Sequence, residues 1–103
     1  MASRLEVLQQ LVARGASDPF PYYGLALELR SAGREEDAVE AFRSLRAKFP
    51  DYVAQYLMAG QLLQKLGRID DAREWLTAGV EVARSARDSH AAGEIEAALA
   101  GLP

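Results

Sequence analysis

Three short clusters contain the residue types that most often carry out chemistry in proteins. Two are acidic, Glu35-Glu36-Asp37 and Asp70-Asp71, and the third is Asp88-Ser89-His90. Paired carboxylates can act as a general acid and base or bind a cation, and the third cluster contains the residue types of a hydrolytic triad. Each cluster must therefore be compared with the structural role that its position would give it.

Both acidic clusters are typical of the first turn of a helix. Negative side chains there interact favourably with the positive end of the helix dipole, so no chemistry is needed to explain them. Glu36-Asp37 and Asp70-Asp71 are also 34 residues apart, and a catalytic site is not expected twice at one offset. The sequence therefore predicts a structural role for both clusters.

The third cluster does not have the arrangement of a triad, because neighbours along the chain cannot form the spatial relay that the chemistry requires. We expect Asp88 or Ser89 to cap a helix and His90 to lie in its first turn. His90 is the only histidine and there is no cysteine, which excludes a histidine pair and a thiolate metal site. The glycines form no phosphate-binding loop. The sequence predicts no enzyme, no metal and no cofactor.

Length and charge narrow the class of protein further. A chain of 103 residues is enough for one compact domain. Its net charge of -3, without a basic patch, argues against nucleic acid as a partner. Arg4 and Glu6 interrupt the apolar residues near the start, unlike a signal peptide, and no stretch approaches the roughly 18 apolar residues that span a bilayer. We expect a cytoplasmic protein that does not bind membranes.

The strongest pattern in the sequence is a repeat of 34 residues. So many matches in one register indicate a repeated structural unit, which decides the fold. Identical pairs at this offset include Tyr22 and Tyr56, Leu29 and Leu63, Gly33 and Gly67, Arg34 and Arg68, Asp37 and Asp71, and Ala38 and Ala72.

Each unit has the marks of two helices. Asp18-Pro19 is typical of a helix start, Gly33 of a helix end, and Pro50 of a stop. Asp51 is predicted to cap the first helix of the second unit. The apolar spacing predicts helices at about 3–14, 19–32, 35–48, 52–66, 69–86 and 89–100.

The first and last predicted helices flank the two repeats. Subtracting the 34-residue offset from Phe42 and Leu45 gives Leu8 and Leu11, so the first helix is expected to imitate the second helix of a preceding repeat. The predicted buried positions are Leu5, Leu8, Leu11 and Val12 in the first helix, which Gly15 ends, and Ala92, Ile95, Ala98 and Leu99 in the last.

The repeated residues resemble the tetratricopeptide repeat, whose period is about 34. The resemblance implies an all-α fold, a right-handed superhelical solenoid of α-hairpins. We expect a single domain with an N-terminal helix (1–17), two repeats (19–52 and 53–86) and a capping helix (88–103), similar to short free-standing bacterial repeat proteins. The pattern positions are Tyr22, Leu25-Ala26, Leu29, Ala38, Phe42, Leu45 and Pro50, then Tyr56, Ala59-Gly60, Leu63, Ala72, Leu76 and Gly79. Arg84 replaces the proline of the second copy, so that helix is expected to continue to about Ala86.

The resemblance also implies a binding face, because the first helix of each repeat lines the concave surface in this family. The inward positions would be Phe20, Tyr23, Gly24, Leu27, Arg30 and Ser31, and Ala54, Leu57, Met58, Gln61, Gln64 and Lys65. Exposed apolar patches usually mark interaction sites. We therefore expect a peptide or an amphipathic helix of another protein to bind there. The predicted contacts are Phe20, Tyr23, Leu27, Arg30, Leu57, Met58, Gln61, Gln64 and Lys65.

Two alternatives to an open groove remain. A flanking helix can fold across the predicted face and bury it, or a second copy can occupy this face or an exposed solenoid edge and form a structural homodimer. A clamp for a C-terminal carboxylate, which some members of the family carry here, is not expected. The matching positions include Tyr23, Leu27 and Leu57, and the chain contains no asparagine.

Overall fold

The computed structural model describes residues 2–103. Across those residues the chain forms six α-helices and no β-strand, and each helix begins and ends within two residues of its predicted bounds. The all-α architecture of helical hairpins is therefore confirmed. The helices are α1 (Arg4–Ala13), α2 (Pro19–Ser31), α3 (Glu35–Lys48), α4 (Ala54–Lys65), α5 (Ile69–Ser85) and α6 (Ser89–Ala100).

The helices pack as two compact units. The first unit contains α1 to α3 and ends at Phe49, and the second begins at Pro50 and contains α4 to α6. In the first unit α2 and α3 form a hairpin and α1 packs against α2. In the second unit α4 and α5 form the corresponding hairpin, and α6 packs against both of its helices.

The core of each hairpin is built from the apolar positions of the repeat. Helical spacing places these residues on one face of each helix, and burying them removes apolar surface from water. In the first unit the buried residues include Tyr22, Leu25, Ala26, Leu29, Ala38, Val39, Phe42 and Leu45. In the second unit they include Tyr56, Ala59, Leu63, Ala72, Trp75, Leu76, Val80, Ala92 and Ile95.

The repeated tyrosine has the same hydrogen bond in both units. The Tyr22 hydroxyl donates to the carbonyl of Ala16 at 3.1 Å, and the Tyr56 hydroxyl donates to the carbonyl of Pro50 at 2.5 Å. In each case the acceptor lies six residues earlier, in the segment that leads into the helix. The buried tyrosine therefore fixes the start of each hairpin while its hydroxyl group remains satisfied.

Two of the three predicted helix caps form. The Asp18 carboxylate accepts a hydrogen bond from the Phe20 amide at 2.8 Å, and the Asp88 carboxylate accepts one from the Ala91 amide at 3.0 Å. The predicted cap at Asp51 is wrong. Helix α4 begins three residues later, and its N-cap, Val53, makes no side-chain cap bond. A cap must reach the second or third amide of its helix, and Asp51 is too early in the chain to do so.

The predicted buried stripe of α1 is only partly correct. Leu8 is buried and Leu5 and Val12 are half-buried, but Leu11 is 39% exposed. Among residues 2–103, α1 packs extensively against α2 alone. A helix with a single neighbour buries a narrower face than one inside a solenoid, and Leu11 lies outside that face.

Candidate protein-binding surfaces

The outward face of α2 exposes the large aromatic side chain of Phe20 to solvent. Phe20 is 66% exposed, and Tyr23, Leu27 and Arg30 follow on the same face and are half-buried. The opposite face of α2 supplies core residues, so the 3.6-residue period leaves these four on the outside of the hairpin. We call Phe20, Tyr23, Leu27 and Arg30 the α2 face.

Tyr23 is held by a ring contact with the neighbouring helix. Its ring centroid lies 6.5 Å from that of Phe42, in an edge-to-face arrangement that aromatic pairs favour. Because Phe42 is fixed in the core, this contact restricts the orientation of the Tyr23 ring. Tyr23 therefore presents a partly ordered aromatic surface beside the freely exposed Phe20.

Helix α1 covers one side of α2 and leaves the other open. Gly24 is buried, and a Cβ atom placed on it would lie 3.3 Å from a methyl carbon of Leu8. Arg4 Nε lies 2.8 Å from Glu28 Oε1, which ties the same side of α2 to α1. Gly24 was expected on the inward face, and the structure instead places it beneath the flanking helix. In the first unit this helix leaves Phe20 exposed.

The corresponding face of α4 is more polar than that of α2. Leu57 and Met58 are half-buried, whereas Gln61, Gln64 and Lys65 are exposed. Helix α4 directs Tyr56, Ala59 and Leu63 into the core of its own unit, which leaves these five side chains on the outside. We call Leu57, Met58, Gln61, Gln64 and Lys65 the α4 face.

The acidic clusters occupy the predicted structural positions. Glu35, Glu36 and Asp37 form the first turn of α3, and Asp70 and Asp71 lie in the first turn of α5. No group of three or more histidine, cysteine, aspartate or glutamate residues within residues 2–103 is arranged to hold a metal ion. In the same range, no helix has the length and apolar character needed to cross a membrane.

His90 lies in the first turn of α6, as predicted. Its side chain is 89% exposed, and Nε2 lies 3.1 Å from Glu94 Oε1, one turn further along the helix. The Asp88 carboxylate instead caps the helix at the Ala91 amide. The imidazole is thus paired along its own helix, and its geometry does not form a relay with Asp88 and Ser89.

Two surface features are not among the predicted site residues. The outer side of α1 exposes Val7 and Leu11, of which Leu11 was predicted to be buried. A shallow open depression of ≈ 430 Å³ lies along the outer side of α5 around Thr77 and Ala78. The available sequence signal for the first feature was the spacing of Val7 and Leu11, with Arg4 three residues before Val7 and Arg14 three residues after Leu11.

Comparison with known proteins identifies relatives of this arrangement. The family described as tetratricopeptide repeat matches residues 29–94. A tetratricopeptide repeat domain protein from Salinibacter ruber is 35% identical over 80% of this chain. The match covers 83% of the chain in the solution structure of that protein, with a TM-score of 0.76. It covers 92% of the chain in the crystal structure, with a TM-score of 0.75.

A more divergent solved structure has the same fold. A protein from Bordetella parapertussis is 22% identical, with 96% of this chain and 86% of that chain covered and a TM-score of 0.78. None of the curated proteins compared with this chain matches it.

Proposed function

The chain belongs to the tetratricopeptide repeat family, and from that membership we propose that it is a non-catalytic protein-binding module. The fold of this family generally mediates contacts between proteins. Our finer proposal is that the α2 face and the α4 face bind a peptide or an amphipathic helix of another protein, without a cofactor. The net charge of -3 and the absence of a basic patch support a protein, rather than a nucleic acid or a membrane surface, as the partner. A cytoplasmic location remains part of the proposal.

The observation that carries this proposal is the exposure of Phe20 beside Tyr23 and Leu27. Fully burying a phenylalanine side chain contributes about 1.5–3 kcal/mol through the hydrophobic effect. Most of that contribution is not realised while Phe20 remains in water, so a partner that covers it gains affinity. The contact between Tyr23 and Phe42 supports the same conclusion, because an anchor that is already ordered loses less entropy on binding.

The α4 face, taken by itself, offers adaptability and polar contacts. Met58 has a flexible thioether side chain that adjusts to the shape of a partner. Gln61 and Gln64 are exposed and can donate and accept hydrogen bonds, and Lys65 adds a positive charge at the end of the helix. Apolar anchors with a polar surround are the usual composition of a protein interface.

A second candidate is a two-fold homodimer in which the α2 face of one copy covers that of another. The charge of the first unit favours it. The segment from Arg4 to Lys48 has seven basic and seven acidic side chains, so two first units carry no net charge against each other. A two-fold interface must be self-complementary, which the uncharged side chains of Phe20, Tyr23 and Leu27 satisfy. Light scattering separates the two candidates. If the protein is this dimer, the Phe20→Ala variant should have the molar mass of a monomer.

The test of the leading proposal begins with peptides selected from a random library on the immobilised protein. Titration calorimetry would then compare the wild type with Phe20→Ala, Leu57→Ala and, as a matched exposed apolar control, Val7→Ala. We expect at least roughly tenfold weaker binding for the first two, because about 1.4 kcal/mol corresponds to tenfold in affinity. Val7→Ala should bind as the wild type does. Unchanged affinity in Phe20→Ala would mean that the α2 face is not the binding surface.

A further inference from the structure

The outer side of α1 has an apolar centre and two basic ends. Arg4, Val7, Leu11 and Arg14 are spaced by three, four and three residues, which aligns them along one helix face. Val7 is 43% exposed and Leu11 is 39% exposed. Arg4 is paired through Nε with Glu28 of α2, but its side chain is still 68% exposed, and a guanidinium has further N–H groups for a second carboxylate. We call these four residues the α1 stripe.

The outer side of α5 has the opposite charges and a hollow centre. Its open depression is lined by Asp70, Arg73, Glu74, Thr77, Ala78 and Glu81. Thr77 and Ala78 contribute small side chains to its lining, and Asp70 and Glu81 are the first and last lining residues along the helix. Arg73 donates a hydrogen bond through Nη2 to the carbonyl of Pro103 at 2.7 Å. This bond holds the positive charge of Arg73 next to Pro103. We call this surface the α5 depression.

We propose that the α1 stripe of one copy docks into the α5 depression of a second copy. Helices placed antiparallel bring Arg4 to Glu81 and Arg14 to Asp70, while Val7 lies over Ala78 and Thr77 and Leu11 lies opposite Glu74. The lengths agree, because a rise of 1.5 Å per residue separates the two arginines by ~15 Å and the two carboxylates by ~16–17 Å. The apolar side chains at the centre of the interface are then removed from contact with water, and opposite charges meet at both ends.

The charges of the α1 stripe argue against pairing with itself. Two α1 helices placed antiparallel would bring Arg4 against Arg14 of the other copy, and two placed parallel would bring identical arginines together. Like charges facing each other disfavour both arrangements. The acidic α5 depression is the complementary surface, and the second unit contains five basic and eight acidic side chains.

This arrangement is heterologous, because the two surfaces that meet are different. Every added copy leaves one α1 stripe and one α5 depression unoccupied, so assembly continues in a row unless the copies close into a ring. One face of a short helix is smaller than a standard stable interface, so the association is weak and depends on concentration. Its charged ends also make it weaker at high salt. The interface does not use the α2 face and is independent of the proposed peptide binding.

The experiment measures molar mass by light scattering over about a hundredfold range of concentration at low salt, where exposed charges interact most strongly. One variant, Val7→Ser with Leu11→Ser, removes the α1 stripe. A second, Asp70→Lys with Glu81→Lys, reverses the ends of the α5 depression. The control, Glu36→Lys with Glu40→Lys, reverses two carboxylates on α3, including the equivalent of Asp70 in the first repeat. Circular dichroism confirms that each variant retains its helices.

We expect the wild type and the α3 control to exceed twice the monomer mass of 11.2 kDa at high concentration, and each interface variant alone to remain a monomer. An equimolar mixture of the two interface variants should form pairs and stop there, because it contains one intact surface of each kind. A monomeric wild type, a mixture that stays monomeric, or equal loss in the α3 control would overturn the proposal. Peptide binding measured on the same variants reports separately on the α2 face.

Discussion

In the second unit α6 packs against both helices of the hairpin, whereas in the first unit α1 packs mainly against α2. The three large apolar side chains that are exposed within residues 2–103, Val7, Leu11 and Phe20, all belong to the first unit. Equivalent hairpins therefore differ in how completely a neighbouring helix covers them. Repeat residues therefore specify the hairpin, and the flanking helix decides which apolar side chains remain exposed.

The two hairpins also differ inside the core. Tyr22 packs its ring against Phe49, with centroids 5.5 Å apart, and Tyr56 packs against Trp75 at 5.7 Å. The Lys48 ammonium adds a 3.0 Å hydrogen bond to the Tyr22 hydroxyl, and Val82 occupies the equivalent position of the second repeat. The tyrosine and its carbonyl partner are thus common to both units, while the residues around the ring vary.

The largest effect expected from a single change contrasts the two phenylalanines of the first hairpin. Phe42→Ala should lower the free energy of unfolding by about 3–5 kcal/mol, because it leaves a cavity where a side chain is 1% exposed. Phe20→Ala should change it by less than about 0.5 kcal/mol, since its side chain lies in water. Urea denaturation checks both. A large loss in Phe20→Ala would show that this side chain stabilises the fold and is not reserved for a partner.

A smaller effect contrasts two glycines of the second unit. A Cβ atom on Gly79 would lie 2.5 Å from Cβ of Tyr56, whereas one on Gly93 would meet nothing within 4 Å. Gly79→Ala should therefore lower the free energy of unfolding by about 1–2 kcal/mol, because α4 and α5 must move apart. Gly93→Ala should raise it by about 0.5–1 kcal/mol through helix propensity. If both variants were stabilised, the close packing of α4 and α5 would be contradicted.

The smallest effect contrasts the ends of α4 and α5. Gly67 has φ 76° and Arg87 has φ 58°, and Arg87 is the only non-glycine residue with positive φ within residues 2–103. In both turns the next amide donates to a carbonyl five residues earlier, Arg68 to Leu63 and Asp88 to Ala83, each at 2.9 Å. The turns are thus the same, and only Arg87 carries the strain of a side chain in the left-handed region.

Arg87→Gly should therefore raise the free energy of unfolding by about 0.5–1 kcal/mol, which is the relieved strain less the added freedom of glycine in the unfolded chain. Gly67→Ala should lower it by about 1 kcal/mol, because no neighbour hinders the new methyl group and only the backbone conformation opposes it. Thermal denaturation of the two variants beside the wild type measures both shifts. Equal losses in both variants would indicate that the Arg87 side chain stabilises its turn.

Most of the fold could be predicted from the sequence because local signals mark the helix ends. Asp18, Pro19, Gly33 and Gly67 each act within one turn of the chain, and their effects do not depend on distant packing. The predicted cap at Asp51 was wrong because a turn separates Asp51 from the start of α4. The residue type of Asp51 and the neighbouring proline do not reveal that turn. The helix start at Ala54 depends on that turn.

The candidate surfaces could be predicted only in outline. Helical period and family resemblance identified the positions of the α2 and α4 faces, but exposure depends on which helix lies alongside. The burial of Gly24 under Leu8 and the exposure of Leu11 both follow from the placement of α1 on α2. No local pattern encodes that placement. The depression on α5 likewise arises from side chains of different size on one face and has no sequence motif.

The most direct test of the central claim is to map a library-selected peptide onto the protein by the change in each backbone amide signal in NMR spectra. We expect the largest changes along α2 from Phe20 to Arg30 and along α4 from Leu57 to Lys65. We also expect Phe20→Ala to abolish the changes on α2. Changes confined to α6 or to the outer side of α5, with α2 unaffected, would contradict the account.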